Sequence, residues 1–333
     1  MRIGILSFAH LHAEGFQAGL RGIPGVELVG FSHEVGEEGR RFAAQFDLRW
    51  FPRHRDLLAE GLDGVLVCSE NSRHLELVQM AAEAGLPILC EKPIEATLEA
   101  ARAIRSACEN NGVPFMTAFP MRFAPSTIAL RKTIQGGQLG KIYGVNGVNH
   151  SEMPDHHRPW FADKALAGGG AAMDHIVHLA DLLRWQFDAE VVEVYAELDN
   201  LFYPQQVDVD TAGLLLVKLS NGVQASIDCS WSRPKWYARW GHLKMEVVGE
   251  RGLSVLDSFA QHVHLYSRSS RPYSWAGFAP DSGQAMLEEF IGSIREKRPP
   301  CVGWNDGYQA LRVVAAAYES AASHQPVALG IEG

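Results

Sequence analysis

Lys92 stands between Glu91 and Pro93 at the end of the apolar run LPILCEK, where the neighbouring proline limits the freedom of the backbone behind it. Asp174 and His178 lie four residues apart in AAMDHIVHLADLLRW, so on a helix they project from one face, one turn apart. A His titrating near neutrality can take a hydroxyl proton while hydride leaves the carbon, and a Lys can stabilise the charge developing on that oxygen. An Asp can orient the base or the substrate. Together these types serve the oxidation of a secondary alcohol. Singly, each has a plainer reading: a solvated Lys, an Asp at a helix N-terminus, a hydrogen-bonded His.

The elements that must position them follow from the hydrophobic pattern. RIGILSF, VELVGFS, GVLVCS, LPILCEK and VPFMTAF read as strands, and helices are expected from about Ala13 to Leu20, over HLELVQMAAEAG and over TLEAARAIRSACENNG up to Gly112. Strands alternating with helices of this length predict crossover connections and an α/β fold, a Rossmann-like doubly wound parallel sheet. Ligands bind such sheets beyond the carboxyl ends of the strands, here Ser7 to His12, Ser32 to Glu34, Ser69 to Asn71 and Glu91 to Pro93. From residue 123 the texture changes. A helix over FAPSTIALRKTIQ, the strand IYGVNGVNHS, an irregular stretch to Trp160 and the Gly168 to Gly170 triplet lead into the helix that carries Asp174 and His178. Six further strand-like runs, with hairpin turns at Asn221-Gly222 and Glu250-Arg251-Gly252, predict an α+β domain with a large open, mainly antiparallel sheet. The expected division is residues 1–122 and 123–333, the C-terminal helices being free to pack back on the first domain.

The composition narrows the partners. The chain has 333 residues, 47% hydrophobic and 21% charged, which is enough for about two packed domains. A net charge of -9 with interspersed signs leaves no footprint for nucleic acid, and no run of about eighteen apolar residues predicts a membrane span. Cys68, Cys90, Cys108, Cys229 and Cys301 are far apart, without a C-x-x-C pair, and read as buried thiols of a cytoplasmic protein.

Glu91-Lys92-Pro93, Arg122-Phe123, LAGGGAAMDHIVHLADLLRW and the closing GYQALRVVAAAYESA with QPVAL together resemble the Gfo/Idh/MocA oxidoreductases over nearly the whole chain. The resemblance implies an NAD- or NADP-binding first domain and a second domain whose sheet covers a sugar, polyol or related substrate. It further implies a homodimer or homotetramer built through that sheet, and a catalytic group of Lys92, Asp174 and His178.

The cofactor positions depart from the usual pattern. Ser7, Ala9 and His12 occupy the three glycine positions of the phosphate loop Ser7-Phe8-Ala9-His10-Leu11-His12, and His12 adds bulk where the helix should touch the sheet. Ser32 and His33 stand where an acid usually binds the adenosine ribose, with Glu34 one place later; Glu34 suits a ribose diol, Ser32 and His33 a phosphorylated one. Glu70 replaces the proline of a strand-end motif that otherwise keeps Ser69, Asn71 and His74. Glu91 and Lys92 complete the expected cofactor contacts.

Fourteen histidines raise a competing expectation. His10, His12, Asp174, His175 and His178 are candidate ligands for a divalent metal, His175 and His178 having helical ligand spacing. Such a site would suit a metal-dependent isomerase, lyase or hydrolase that uses no nicotinamide. A non-catalytic ligand sensor is the third reading. Arg122, His156, His157, Trp160, His175, Trp231 and Arg233 are the expected substrate contacts, the rings stacking on a sugar face beside cationic groups or, equally, forming a subunit interface.

Overall fold

The computed structural model describes residues 1–156, 158–237, 241–265, 274–278 and 280–331. The chain divides into two compact units, one of residues 1–120, 157–168 and 283–311, the other of 121–156, 169–282 and 312–333.

In the first unit the chain runs β1 (Arg2–Leu6), α1 (His12–Gly22), β2 (Glu27–Ser32), α2 (Gly36–Phe46), β3 (Trp50–Phe51), α3 (His54–Leu58), β4 (Gly64–Val67), α4 (His74–Glu83), β5 (Ile88–Cys90), α5 (Leu98–Asn111) and β6 (Phe115–Thr117). The strands form one parallel sheet in the order β3-β2-β1-β4-β5-β6. The order reverses between β1 and β4, and that reversal opens the crevice at the strands' carboxyl ends. Ile3, Ile5 and Leu6 of β1 and Val65, Leu66 and Val67 of β4 are fully buried, as strands covered on both faces must be. Phe8 continues β1 into the core and packs on Phe31, Phe42 and Phe46, which anchors the loop that follows. Thr97 caps α5 through the Ala100 amide, and Gly112 ends that helix in the left-handed region. The segment from Gly36 to Leu58 holds two helices and a two-residue strand that the hydrophobic pattern did not separate.

Next come α6 (Pro125–Gln135), β7 (Ile142–Glu152), the short α7 (Lys164–Ala167), α8 (Ala171–Phe187), β8 (Val191–Asp199), β9 (Ala212–Leu219), β10 (Gln224–Arg233), β11 (Gly241–Gly249), β12 (Gly252–Asp257), the hairpin β13 (His262–Leu265) and β14 (Ser274–Gly277), α9 (Ser282–Glu296), α10 (Trp304–Ser323) and β15 (Val327–Ala328). Seven strands of the second unit form a sheet in the order β12-β11-β7-β10-β9-β8-β15, antiparallel except between β7 and β10. Strand β9 shows the two faces directly: Leu215, Val217 and Leu219 are buried, while Leu214, Leu216 and Lys218 are exposed. Helix α8 packs on the buried face. Leu179, Leu182 and Leu183 are almost wholly enclosed, each worth about 1.5–3 kcal/mol. Four cysteines are buried as expected; Cys301 is exposed, because it follows Pro299-Pro300 in the loop between α9 and α10. Among the described residues no helix is long and apolar enough to cross a membrane.

Candidate active site

The loop after β1 keeps the tight turn without glycine. Ser7 has φ +66°, in the left-handed region, at a cost of about 1–2 kcal/mol that the first glycine of a phosphate loop would avoid. Side chains and backbone of the first unit hold most of the loop's amides. Phe8 N–H donates to His33 Nδ1 (3.3 Å), Ala9 N–H to Ser7 Oγ (3.1 Å), His10 N–H to the Cys68 carbonyl (2.9 Å) and His12 N–H to His10 Nδ1 (3.1 Å). The Ala9 carbonyl accepts from Arg158 Nε (2.9 Å) and Trp160 Nε1 (3.0 Å), while Leu11 packs against the cluster of Trp160, Phe161 and Ala167. Trp160 is therefore a buried prop of the first loop rather than an open ring for a sugar.

At the end of β2 a polar rim takes shape that includes residues the sequence reading missed. Ser32 Oγ meets His54 Nδ1 at 2.8 Å, and burial depresses the His54 pKa. Arg73 donates to Glu34 (2.8 Å), holding that carboxyl below its ordinary range, and also to Glu76. His33 pairs with Glu38 through Nε2 (2.9 Å). Glu34, half exposed at 48% of its side chain, is thus positioned as the acid of this rim, one residue beyond where the pattern usually puts one.

Around β4 and β5, Asn71 donates to the Ala167 carbonyl (2.8 Å), and Ser69 Oγ to the Glu70 carbonyl (3.1 Å). His74 is wholly buried and its Nδ1 faces the Pro93 and Ile94 carbonyls (3.0 and 3.3 Å), so it fixes the Glu91-Lys92-Pro93 turn. Burial lowers its pKa, consistent with a neutral ring donating through Nδ1. The Lys92–Pro93 peptide is cis, and Lys92 is buried. Burial pushes the Glu91 carboxyl up, but His10, His12 and Lys92 outweigh it and hold the group well below the usual carboxylate range. Glu91 Oε1 meets His12 Nδ1 at 3.0 Å, and Glu91 Oε2 accepts the Lys92 amide at 3.1 Å.

At the start of the second unit's helix α8, two glycines of the triplet have a steric cause. A Cβ on Gly169 would overlap the Tyr318 hydroxyl, and one on Gly170 the Asp210 carbonyl oxygen. Asp210, which sequence reading missed, caps α8 from just before β9. Its carboxylate accepts from the Gly170 amide (3.0 Å), the Ala172 amide (2.7 Å) and the Tyr318 hydroxyl (2.6 Å). Burial, then the Asp210 carboxylate, pushes the Tyr318 phenol well up. From Ala171 to Arg184 every residue of α8 is buried except two, Asp174 and His178. Trp231 Nε1 donates to Asp174 (3.3 Å), and His175 Nε2 lies 3.1 Å from the same oxygen.

Several expected substrate or metal contacts are engaged otherwise. His175 is buried with Nδ1 on the Asn149 carbonyl (2.7 Å) and Nε2 on Ser151 Oγ (3.0 Å), so both ring nitrogens serve the fold. Arg122 forks onto Asp181 (2.5 and 2.8 Å) inside the unit, a buried structural pair. Trp231 is fully buried. Arg233 reaches His150 (3.1 Å) and His242 (2.9 Å), side chains on the sheet face opposite the one that carries Ser151 toward α8. A register shift after Ser230 allows Trp231 and Arg233 to serve opposite faces. His157 and the side chain of His156 lie outside the described residues.

A dinucleotide fits the first unit at the strand ends, where the crevice, the Glu34 rim and the fixed Glu91-Lys92-Pro93 turn are in place. At the loop, the amides of Phe8, Ala9 and His12 are held by His33, Ser7 Oγ and His10. The comparisons agree with that frame. Residues 2–119 match the oxidoreductase family with an NAD-binding Rossmann fold, and residues 127–255 match the GFO/IDH/MocA C-terminal domain. The myo-inositol dehydrogenase Hyg17 of Streptomyces leeuwenhoekii is 30% identical over 276 residues, covering 80% of this chain and 81% of that one. The scyllo-inositol 2-dehydrogenase (NAD(+)) of Bacillus subtilis is 26% identical over 99% of this chain and 96% of its own. The crystal structure of GenD2 from gentamicin A biosynthesis in complex with NAD superposes with a TM-score of 0.89 at 23% identity, covering 99% of this chain and 97% of that one, a likeness of fold. The chain belongs to the Gfo/Idh/MocA family of NAD-binding oxidoreductases.

Proposed function

We propose that the protein oxidises a secondary alcohol of a sugar or cyclic polyol with NAD, using Lys92, Asp174 and His178 as its catalytic group. The observation that carries this reading is the burial pattern of α8, in which Asp174 and His178 are the two residues between Ala171 and Arg184 that are not fully buried. The nicotinamide, when bound, supplies the hydride acceptor. His178 takes the hydroxyl proton as the hydride leaves the carbinol carbon. The Lys92 ammonium hydrogen-bonds the same oxygen and stabilises its developing negative charge. Asp174 sits in the first turn of α8, where the helix dipole favours a carboxylate, and the Trp231 indole N–H that it accepts helps fix its orientation. Glu34, held by Arg73, receives the adenosine ribose; a carboxylate there favours the diol of NAD over a 2′-phosphate.

Copies of the chain assemble through the open face of the seven-stranded sheet, where Leu214, Leu216, Leu253 and Val255 are each more than half exposed. Four buried thiols suit a reducing cytoplasm. The function is tested by following NADH formation with a panel of inositols, aldoses and their lactone-forming analogues. Wild type turns over at least one of them, and His178→Ala loses about 10²–10⁴-fold in kcat. A His178→Ala variant with wild-type turnover would remove the base from this scheme.

A further inference from the structure

The reaction leaves the side chains of His10, His12 and Glu91 without a part to play. Their donor atoms nevertheless lie within 4.8 Å of one another. We propose that these three residues bind one divalent first-row transition ion, such as zinc, at the carboxyl end of β1. The inference adds a site to the dehydrogenase reading, on the same β1–α1 loop that lines the cofactor crevice.

The geometry has the features of a built site. His12 Nδ1 and His10 Nδ1 lie 3.0 and 3.9 Å from Glu91 Oε1, so one carboxylate oxygen faces both imidazoles. The other oxygen is held by the Lys92 amide, an outer contact of the kind that orients a ligating carboxylate. The backbone is pinned on both sides, by His10 N–H to the Cys68 carbonyl and by Glu91 N–H to the Val67 carbonyl. His10 and Glu91 are closed to solvent, whereas His12 keeps 31% of its side chain exposed, which gives an ion an entry side. A fully buried carboxylate calls for positive charge, and a dication supplies it without requiring either imidazole to be protonated.

The donor set names the class of ion. Two imidazoles and one carboxylate suit zinc and its first-row neighbours, whereas calcium and magnesium prefer all-oxygen ligands. Three protein ligands leave a coordination position for water or an anion. Coordination takes the His10 Nδ1 lone pair that now accepts from His12 N–H, and so releases that amide.

The test uses the full-length protein stripped with a chelator and titrated with Co²⁺, read by its visible absorption, and with Zn²⁺, read by calorimetry and elemental analysis. One ion per chain is expected, with zinc raising the melting temperature of the wild type. His12→Ala, at a partly exposed position, and Glu91→Gln each weaken binding at least about tenfold and lose the thermal shift. His324→Ala, at an exposed position far along the chain, retains both. Failure to retain a stoichiometric ion overturns the proposal, as does equal affinity in His12→Ala and Glu91→Gln; either result leaves a hydrogen-bonded His-Glu pair only. NAD binding is titrated on the same samples, so metal failure with normal NAD affinity rejects this site alone.

Discussion

The β1–α1 loop and the glycine triplet before α8 are both places where the chain enters a helix and must satisfy its first N–H groups, and they do so in opposite ways. The first uses side chains: Ser7 and His10, each two residues away, accept from the amides of Ala9 and His12, and His33 at the end of β2 accepts from Phe8. The second imports Asp210 from a distant segment and closes it with Tyr318. Side-chain acceptors can rotate away, so the loop tolerates the loss of its glycines. At the triplet a distant backbone carbonyl fills the space a side chain would need, so glycine is required. In a two-part enzyme the region that changes is thus the one whose contacts can be exchanged.

That contrast can be broken most severely at Gly170. Gly170→Ala drives a Cβ into the Asp210 carbonyl and should cost about 3 kcal/mol or more, read as a shift in the urea midpoint at unchanged slope. A variant as stable as wild type would mean that the cap relaxes freely. Glu91→Gln comes next, at about 1–3 kcal/mol, because a buried charged acceptor loses part of its hydrogen bonding. The Glu91 pKa is lowered in the folded state, so its contribution is complete above the unfolded value near pH 4.5 and is lost as pH falls through the lower folded value. The stability gap between wild type and variant should therefore shrink in acid; a gap that grows there has the wrong sign for this assignment. Ser7→Gly is the smallest change. Relief of the positive φ and loss of the bond to Ala9 nearly cancel, within about 1 kcal/mol, while the freed Ala9 amide tightens NAD severalfold. Weaker NAD binding in this variant would show that Ser7 Oγ itself serves the cofactor.

What could be read from the sequence divides along the same line. The Rossmann-like strands, α8 and the hairpin turns announce themselves through period and turn residues, because each satisfies local rules. Asp174 and His178 were legible as a pair because helical spacing alone puts them on one face. The residues missed, Asp210, Tyr318, His54 and Arg73, act across 22 to 148 positions of sequence, and no local pattern marks such partners. Other residues expected at the substrate, His175, Arg122, Trp160 and Trp231, have side chains able to bind a sugar, but burial gives them partners within the fold. Polar type shows what a residue can do; only packing shows what it is already doing.

The claim that Lys92 works on the reacting oxygen while the crevice loop holds the cofactor is tested most directly by Lys92→Ala, with NAD affinity and turnover measured on the same preparation. The account predicts that kcat falls about 10²–10³-fold while the NAD dissociation constant stays within about threefold of wild type. Unchanged turnover in that variant would contradict it.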